Sequence, residues 1–308
     1  MKVSLIPGII AVMVLLSPSY SVTNAFAAQT PAAFLEVGMG GRAMAMGGAY
    51  VALVDDASAV IWNPAGLANS TAHQAVFAYT NQLGLIPYRF AAYSQPLLSG
   101  LAVAGGITSS GDDALKENTL YASAARTLSS ELTSFLNDVR VGGTLKIRSA
   151  SFGKNADGGV DRVTGDAFGY GLDLGGLLRV APGVRIGVML RDLMAPVEWN
   201  SSTSGKYSED VPSTFVVGAG LEKRGLFSCS VDVENSERVR AGMEVMVLGF
   251  VGLRGGYFQK MEAGATKNYS AGIGINQRLK NGMGFSLDLA YSFHELGNSP
   301  RGSFTFGF

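Results

Sequence analysis

The sequence predicts an all-β transmembrane fold: a 14-stranded antiparallel outer-membrane β-barrel with a short helical N-terminal hatch in its lumen. The chain of 308 residues is poor in charge, at 16%, and rich in glycine, with 41 residues. Apolar and polar side chains alternate over stretches of about ten residues, the length that a tilted strand needs to cross a bilayer. The connections alternate between short and long, as barrel turns and loops do.

The first 28 residues have the pattern of a secretory signal peptide. Lys2 gives a positive start, residues 5–16 form an apolar core, and Ala25-Phe26-Ala27 fits a small-residue cleavage site. The apolar core is too short for a spanning helix, which needs about 20 residues. Residues 1–28 are therefore predicted to be removed during export.

Charge and cysteine content exclude several functions. The 24 basic and 24 acidic residues balance, so no net charge attracts nucleic acid and no nucleic-acid partner is expected. A single cysteine, Cys229, and two histidines, His73 and His294, argue against a metal site, and no cofactor is expected. Because no G-x-S-x-G nucleophile elbow occurs either, the chain is predicted not to be an enzyme.

Period-two alternation marks the strands, because successive side chains of a strand point to opposite faces. Residues 139–148 show it most clearly, with Arg140, Lys146 and Arg148 on the face opposite the apolar one. Fourteen strands are predicted, at residues 72–82, 87–97, 99–109, 118–127, 138–152, 166–180, 183–194, 212–223, 225–235, 237–247, 249–259, 267–277, 282–294 and 300–308. An even number returns both chain ends to one side of the membrane.

In such a barrel the apolar strand face meets outer-membrane lipid and the polar face lines the lumen. Ten charged residues are predicted to point inward and to form internal ion pairs: Arg140, Lys146, Arg148, Asp173, Arg185, Arg191, Asp232, Glu234, Glu244 and Asp288. The longer connections, predicted to be external, are residues 110–117, 153–165, 195–211 and 260–266. Calcium binding by the loop at 153–165 is left open, and a short amphipathic helix is expected at residues 128–137.

Residues 29–70 have no alternation, and they are predicted to form the hatch that precedes the barrel at residues 71–308. Small residues and methionines dominate their first half, so the segment requires a dry place such as the lumen. Asp55 or Asp56 is expected to cap a short helix through Ile61, which Asn63-Pro64 would end. An ion pair with Arg42 is expected for the Asp55-Asp56 pair.

Four motifs in residues 34–68 resemble the N-terminal signature of the PorV/PorQ family, whose members are related to the FadL-type fatty-acid-transporter barrels. They are Gly41-Arg42-Ala43, Met46-Gly47-Gly48-Ala49, Asp55-Asp56-Ala57 and Trp62-Asn63-Pro64-Ala65-Gly66. The resemblance implies a fourteen-stranded barrel with a lumenal hatch. It also implies structural or gating roles for ten hatch residues: Gly41, Arg42, Gly47, Gly48, Asp55, Asp56, Trp62, Asn63, Pro64 and Gly66.

The resemblance implies two functions. The first, taken as the main prediction, is a non-enzymatic accessory of protein secretion or surface assembly, similar to type IX secretion, which binds secreted protein domains or a surface-attachment complex through its external loops. The alternative is a FadL-like transporter of hydrophobic small molecules across the outer membrane. Met194, Trp199 and Tyr207 are the expected external contact residues for a partner or ligand. The terminal Phe308 looks like the sorting signal of outer-membrane barrels.

Overall fold

The computed structural model describes residues 37–98, 100–112, 114–128, 138–153, 163–235, 237–279 and 282–308. Two short helices, α1 (Gly41–Ala45) and α2 (Ala59–Trp62), and a 3-10 helix (Pro64–Asn69) precede the strands. The strands are β1 (Gln74–Gln82), β2 (Ile86–Leu98), β3 (Leu101–Gly111), β4 (Leu115–Leu128), β5 (Val139–Phe152), β6 (Gly165–Ala181), β7 (Val184–Leu193), β8 (Pro196–Ser201), β9 (Gly205–Asp210), β10 (Thr214–Lys223), β11 (Phe227–Glu234), β12 (Arg238–Val247), β13 (Val251–Lys260), β14 (Asn268–Arg278), β15 (Gly284–Phe293) and β16 (Ser299–Gly307).

Fourteen of the described strands close into one antiparallel barrel, which confirms the predicted fold class. Sequential neighbours pair around the wall, β7 pairs with β10, and β1 pairs with β16 to close the barrel. The two-residue connections, between β2 and β3 and between β6 and β7, lie at the end where the first strand begins and the last one ends, whereas the long connection that contains β8 and β9 lies at the other end. Because short turns face the periplasm in outer-membrane barrels, we assign that end to the periplasm.

Residues 195–211, predicted as a polar loop, form a β-hairpin instead. β8 pairs with residues 165–169 of β6 and also with β9. β6 is longer than β7, and the β6–β7 register shifts near Asp192, which has a positive φ of 57°. β8 therefore continues along the part of β6 that β7 leaves unpaired, and the hairpin extends the barrel wall on its extracellular side.

The two faces of the barrel differ as the alternation predicted. Exposed apolar side chains cover the outside, among them Phe77, Leu120, Leu145, Ile147, Phe168, Leu253, Ile273, Leu289 and Phe304. Charged side chains are buried on the inside, among them Lys146, Arg148, Asp173, Asp232, Glu244 and Asp288. A wall with this polarity suits lipid outside and a polar lumen inside.

Several sequence predictions fall outside the described residues. These are the signal peptide at residues 1–28, the first part of the hatch at residues 29–36, most of the helix expected at 128–137, and the loop residues considered for calcium, Asn155, Asp157 and Asp161. Within the described part of the chain, no helix has the length and apolar character needed to span a membrane.

Candidate functional site

The lumen holds residues 37–70, which we call the lumenal segment. It follows the barrel wall from strand to strand. The Gly41 backbone N–H donates to Ser303 Oγ of β16 (2.8 Å), and the Ala45 carbonyl accepts from Ser270 Oγ of β14 (3.0 Å). Further along, the Val60 carbonyl accepts from Thr144 Oγ1 of β5 (3.3 Å). The segment thus contacts strands on different sides of the barrel.

Inward-facing glycines make room for the lumenal segment. A β-carbon added to Gly187 would lie 2.6 Å from the carbonyl oxygen of Val51, and one added to Gly142 would lie 2.6 Å from the carbonyl carbon of Pro64. Wall glycines with similarly close neighbours in the segment are Gly175, Gly242, Gly256 and Gly272. Close backbone approach requires glycine, so part of the high glycine content comes from the fit between wall and segment.

The helix predicted near Asp55 begins later than expected. α2 starts at Ala59 with Ser58 as its N-cap residue, because the Asp56 carboxylate accepts from the backbone N–H (2.8 Å) and the hydroxyl (2.5 Å) of Ser58 and so holds the turn before the helix. The helix ends at Trp62 as Asn63-Pro64 predicted. Asn63 then caps the 3-10 helix, since its side-chain oxygen accepts from the Ala65 N–H (3.2 Å).

Trp62 and Asn63 hold distant parts of the lumenal segment together. Trp62 Nε1 donates to the Met39 carbonyl (2.9 Å), and the indole meets the Tyr50 ring edge-on at 6.0 Å between centroids. Asn63 Nδ2 donates to the Val51 carbonyl (2.9 Å) and to the Gly176 carbonyl of β6 (3.2 Å). Both motif residues therefore shape the segment from inside.

One side of the lumen, which we call the ionic wall, consists of the inward polar side chains of β11–β15. The Asp232 carboxylate accepts hydrogen bonds from the backbone N–H groups of Tyr50 (2.8 Å) and Val51 (3.0 Å). Ser270 accepts from the Gly47 N–H (3.0 Å) and donates to the Ala45 carbonyl (3.0 Å). These contacts fix the backbone of the segment against the wall, because charge-assisted and buried hydrogen bonds are directional.

Arg42 is the ionic link between segment and wall in the described structure. Its guanidinium contacts Glu244 of β12 (2.8 Å) and Asp55 (3.1 Å), so the expected Arg42–Asp55 pair is present. Arg254 of β13 contacts Glu244 (2.6 Å) and Asp288 of β15 (2.7 Å). Burial alone would lower the pKa of Arg42, but nearby Tyr50, Asp55 and Glu244 hold it well above its usual value. The guanidinium is therefore charged throughout the biological pH range.

Other predicted internal charges form a second cluster of ion pairs, on β5, β6 and β7. Lys146 of β5 contacts Asp173 of β6 (2.7 Å) and Asp192 of β7 (2.8 Å), and Arg148 also pairs with Asp192. The Asp192 backbone N–H donates to the Asp173 carboxylate (2.9 Å). This cluster stabilises the register shift between β6 and β7.

The opposite side carries the buried apolar side chains of β1–β4, which we call the apolar wall. Polar side chains of the same strands also point inward, and they are Thr80, Ser94, Ser110, Glu117, Thr119 and Ser123. Val76, Ala78, Phe90, Ala92, Ala102, Ala104 and Ala125 are buried there in one cluster with Met39, Val60, Trp62 and Leu67 of the lumenal segment. The cluster extends from Tyr88, towards the extracellular end, to Ala102 and Ala125 at the periplasmic end. No hydrogen bond joins the segment to β1–β4 within the described ranges. Apolar packing alone holds the two together here.

The structure unites only part of the expected external contact site. Trp199 and Tyr207 face each other across β8 and β9 and stack with 6.3 Å between ring centroids. Trp199 also packs on Ala150, Ala167 and Val197. Met194 lies outside this cluster and is 74% exposed. At the other end, Phe308 stacks on His73 with 5.5 Å between ring centroids.

Sequence analysis missed two features of the lumen. The inward position of Phe90 was not predicted, because the long uncharged run over β2 and β3 shows no polar face from which the inward side could be inferred. Arg301 of β16 is buried and its guanidinium donates to the Gly38 carbonyl (2.7 Å) and to Gln82 Oε1 (2.8 Å). The sequence could have indicated that Arg301 points inward, because it lies between Ser299 and Ser303 on the same strand face. It could not indicate that, among the described residues, no carboxylate pairs with Arg301.

The closed antiparallel barrel, its apolar exterior and its charged lumen define the class: the protein is a bacterial outer-membrane β-barrel.

No family model and no curated protein matches the chain. Among solved structures it is similar to a "CymD monoaromatic hydrocarbon channel", at 14% identity and TM-score 0.60 over 88% of this chain and 96% of that one. It is similarly close to the toluene transporter TodX of Pseudomonas putida, at 10% identity and TM-score 0.60 over 86% of this chain and 96% of that one. At these identities the likeness shows the fold.

Proposed function

We propose that the protein is a non-enzymatic channel that carries hydrophobic small molecules across the outer membrane. The observation that carries this proposal is the apolar wall. It forms a continuous apolar contact between β1–β4 and the lumenal segment, from Tyr88 down to Ala102 and Ala125. A hydrophobic molecule that enters this contact exchanges one apolar surface for another, so its passage requires no desolvation of charged groups.

In this proposal the lumenal segment acts as the hatch. Its attachment to the ionic wall through Arg42, Tyr50 and Val51 keeps it in the lumen, while its contact with β1–β4 opens by small side-chain movements. The ten motif residues then have structural roles: they shape the segment or hold it. Trp199 and Tyr207 would offer apolar surface to a ligand at the extracellular side.

The structural neighbours support this function over the secretion accessory that the family resemblance placed first. CymD and TodX are described as a monoaromatic hydrocarbon channel and a toluene transporter. Both are channels rather than enzymes, which is consistent with a non-enzymatic role. The comparisons give no support to PorV/PorQ membership, type IX secretion or secreted-protein partners.

Uptake in cells tests the proposed function. We expect a host that lacks its own hydrophobic-molecule channels to accumulate toluene faster when it produces this protein. Phe90→Asp places a charge in the apolar wall and should remove most of the gain, whereas Phe77→Asp alters the outer surface of the neighbouring strand and controls for barrel damage. Heat-modifiable gel mobility must show that each variant is folded. Equal uptake with and without the protein would contradict the proposal.

The role as an accessory of protein secretion stays a prediction, and it has its own test. Photo-crosslinkers at Met194, Trp199 and Tyr207 would capture secreted protein domains if the external hairpin binds them. Capture of one defined family of exported proteins, without any effect on toluene uptake, would favour that reading over the channel.

A further inference from the structure

β9 forms a free edge of the sheet at the extracellular end of the barrel. It pairs with β8 on one side, and among the described residues no strand pairs with its other side. All of its residues except Glu209 are exposed. A free edge presents unpaired backbone N–H and C=O groups, which can pair with a strand of another chain. The outer edge of β9 is therefore available for pairing.

The hydrogen bonds of the hairpin show which residues present these groups. The Val211 N–H donates to the Ala195 carbonyl (3.0 Å), and bonded and non-bonded residue pairs alternate along an antiparallel ladder. The backbone groups of Lys206, Ser208 and Asp210 therefore point away from β8. Within the described part of the chain these groups have no backbone partner, and the side chains of Lys206 and Asp210 form no ion pair.

The charges of β9 are complementary to those of a second copy of β9. Charges on an edge strand usually prevent self-association, because copies place like charges opposite each other. When two copies of β9 pair antiparallel about Ser208, however, Lys206 of each copy lies opposite Asp210 of the other. All three outward-pointing residues then form bonded pairs, and opposite charges across a strand pair stabilise it. Registers shifted along β9 lose both charge pairs, so the register about Ser208 is favoured.

The direction of β9 determines where the second copy lies. β6 begins at Gly165, at the extracellular end of the barrel, and Gly165 pairs with Ser201 of β8. The turn between β8 and β9 is therefore the outermost part of the hairpin, and β9 runs from this turn towards its own membrane. In an antiparallel pair the second β9 runs in the opposite direction, so its membrane lies on the far side.

We infer that β9 binds β9 of a second copy of this protein and thereby joins two facing outer membranes. A pair of such short strands is small beside a stable protein interface. One pair is therefore weak, and the two membranes stay together through many copies that act at the same time. This function is separate from the proposed transport, because no residue of the lumen takes part in it.

Clustering of vesicles that contain the folded barrel tests the inference. Energy transfer between donor-labelled and acceptor-labelled phosphatidylcholine vesicles measures their association, and we expect wild-type vesicles to cluster. Lys206→Asp alone or Asp210→Lys alone places like charges opposite each other, so clustering should fall about tenfold or more. A mixture of Lys206→Asp vesicles with Asp210→Lys vesicles restores opposite charges across the strand pair and should cluster as the wild type does.

Matched variants separate strand pairing from general charge effects. Lys267→Asp and Glu262→Lys make the same charge changes at exposed positions outside β9, and each should cluster as the wild type does. Ser208→Pro removes the central outward N–H but keeps the pairing of β9 with β8, because proline is tolerated where the N–H of an edge strand faces solvent. This variant should abolish clustering. Heat-modifiable gel mobility must show that every variant is folded.

The inference would be overturned if wild-type vesicles do not cluster, or if the mixture of Lys206→Asp and Asp210→Lys vesicles clusters no better than either variant alone. Undiminished clustering of Ser208→Pro, or an equal loss in Lys267→Asp or Glu262→Lys, would overturn it as well. Clustering of wild-type vesicles with protein-free vesicles would assign the contact to lipid and would also contradict pairing of two β9 strands.

Discussion

The two walls of the lumen hold the same segment by different means. The ionic wall uses Asp232, Glu244 and Ser270, which accept or donate hydrogen bonds at fixed angles and at distances of 2.8–3.0 Å. The apolar wall uses Val76, Phe90 and small alanines, whose contacts have no preferred direction. Directional contacts break when the segment shifts, but apolar contacts re-form with any apolar surface, including that of a ligand. The segment is therefore anchored on one side and separable on the other.

Removal of the Glu244 charge should have the largest effect on this asymmetry. Glu244→Gln leaves the guanidinium groups of Arg42 and Arg254 without their shared carboxylate. Loss of one partner of a buried ion pair costs about 3–5 kcal/mol. We expect lower resistance to guanidinium chloride and a rise in single-channel conductance as the segment leaves the wall. Glu262→Gln, on an exposed loop, is the control, and wild-type conductance in Glu244→Gln would show that the ionic wall does not anchor the segment.

Two adjacent glycines provide a matched test of the fit between wall and segment. Gly256 faces inward against the Gly47 backbone, whereas a β-carbon at Gly255 would have no neighbour within 4 Å. Gly256→Ala should destabilise the protein by about 1–3 kcal/mol, the usual cost of overpacking, and Gly255→Ala should change it little. Chemical unfolding of both variants in one detergent makes the comparison. Equal stability of the two would mean that the segment does not press against β13.

The smallest expected effect comes from Asp56, which shows how the segment responds to pH. Burial, together with the neighbouring Asp55, raises the pKa of Asp56 from 3.8 to about 6. Because the folded-state pKa lies above the unfolded one, this group stabilises the fold fully at low pH, and the contribution disappears as pH rises through about 6. Asp56→Asn keeps an acceptor for Ser58 and should stabilise the protein at pH 7.5 by at most about 1 kcal/mol.

The measurement for Asp56 is the unfolding midpoint at pH 4.5 and pH 7.5. The wild-type protein should lose stability relative to Asp56→Asn between these values. A pH dependence that is identical in both proteins would assign the titration to another group.

The wall was more predictable than the contents of the lumen. Alternation determines which strand face meets lipid, so the strands and the inward position of Lys146 or Asp232 could be inferred residue by residue. Alternation could not predict the hairpin of β8 and β9, because this hairpin lies beyond the lipid and needs no apolar outer face. Sequence spacing placed the helix stop at Asn63 correctly but its start wrongly, because Asp56 bonds to Ser58 rather than to the first helical turn.

The asymmetry between the two walls could not be inferred from the sequence. It depends on which inward side chains meet which part of the lumenal segment, and that is a long-range property. Asp232 and Tyr50 are 182 positions apart in the chain, and Arg301 and Gly38 are 263 apart. The motifs identified the segment, but only the fold reveals its anchored and its separable side.

Two reversible disulfide tethers test the central claim that hydrophobic molecules pass between the lumenal segment and the apolar wall. A β-carbon at Gly106 of β3 would lie 3.4 Å from Val60 Cγ2, and one at Gly220 of β10 would lie 3.0 Å from Leu53 Cγ, so each pair can form a disulfide after substitution by cysteine. In a Cys229→Ser background, oxidised V60C/G106C should reduce toluene uptake to the level of cells without the protein, and reduction should restore it. Oxidised L53C/G220C, tethered away from the apolar wall, should take up toluene at the untethered rate. Unchanged uptake in oxidised V60C/G106C, or an equal block by both tethers, would contradict the account.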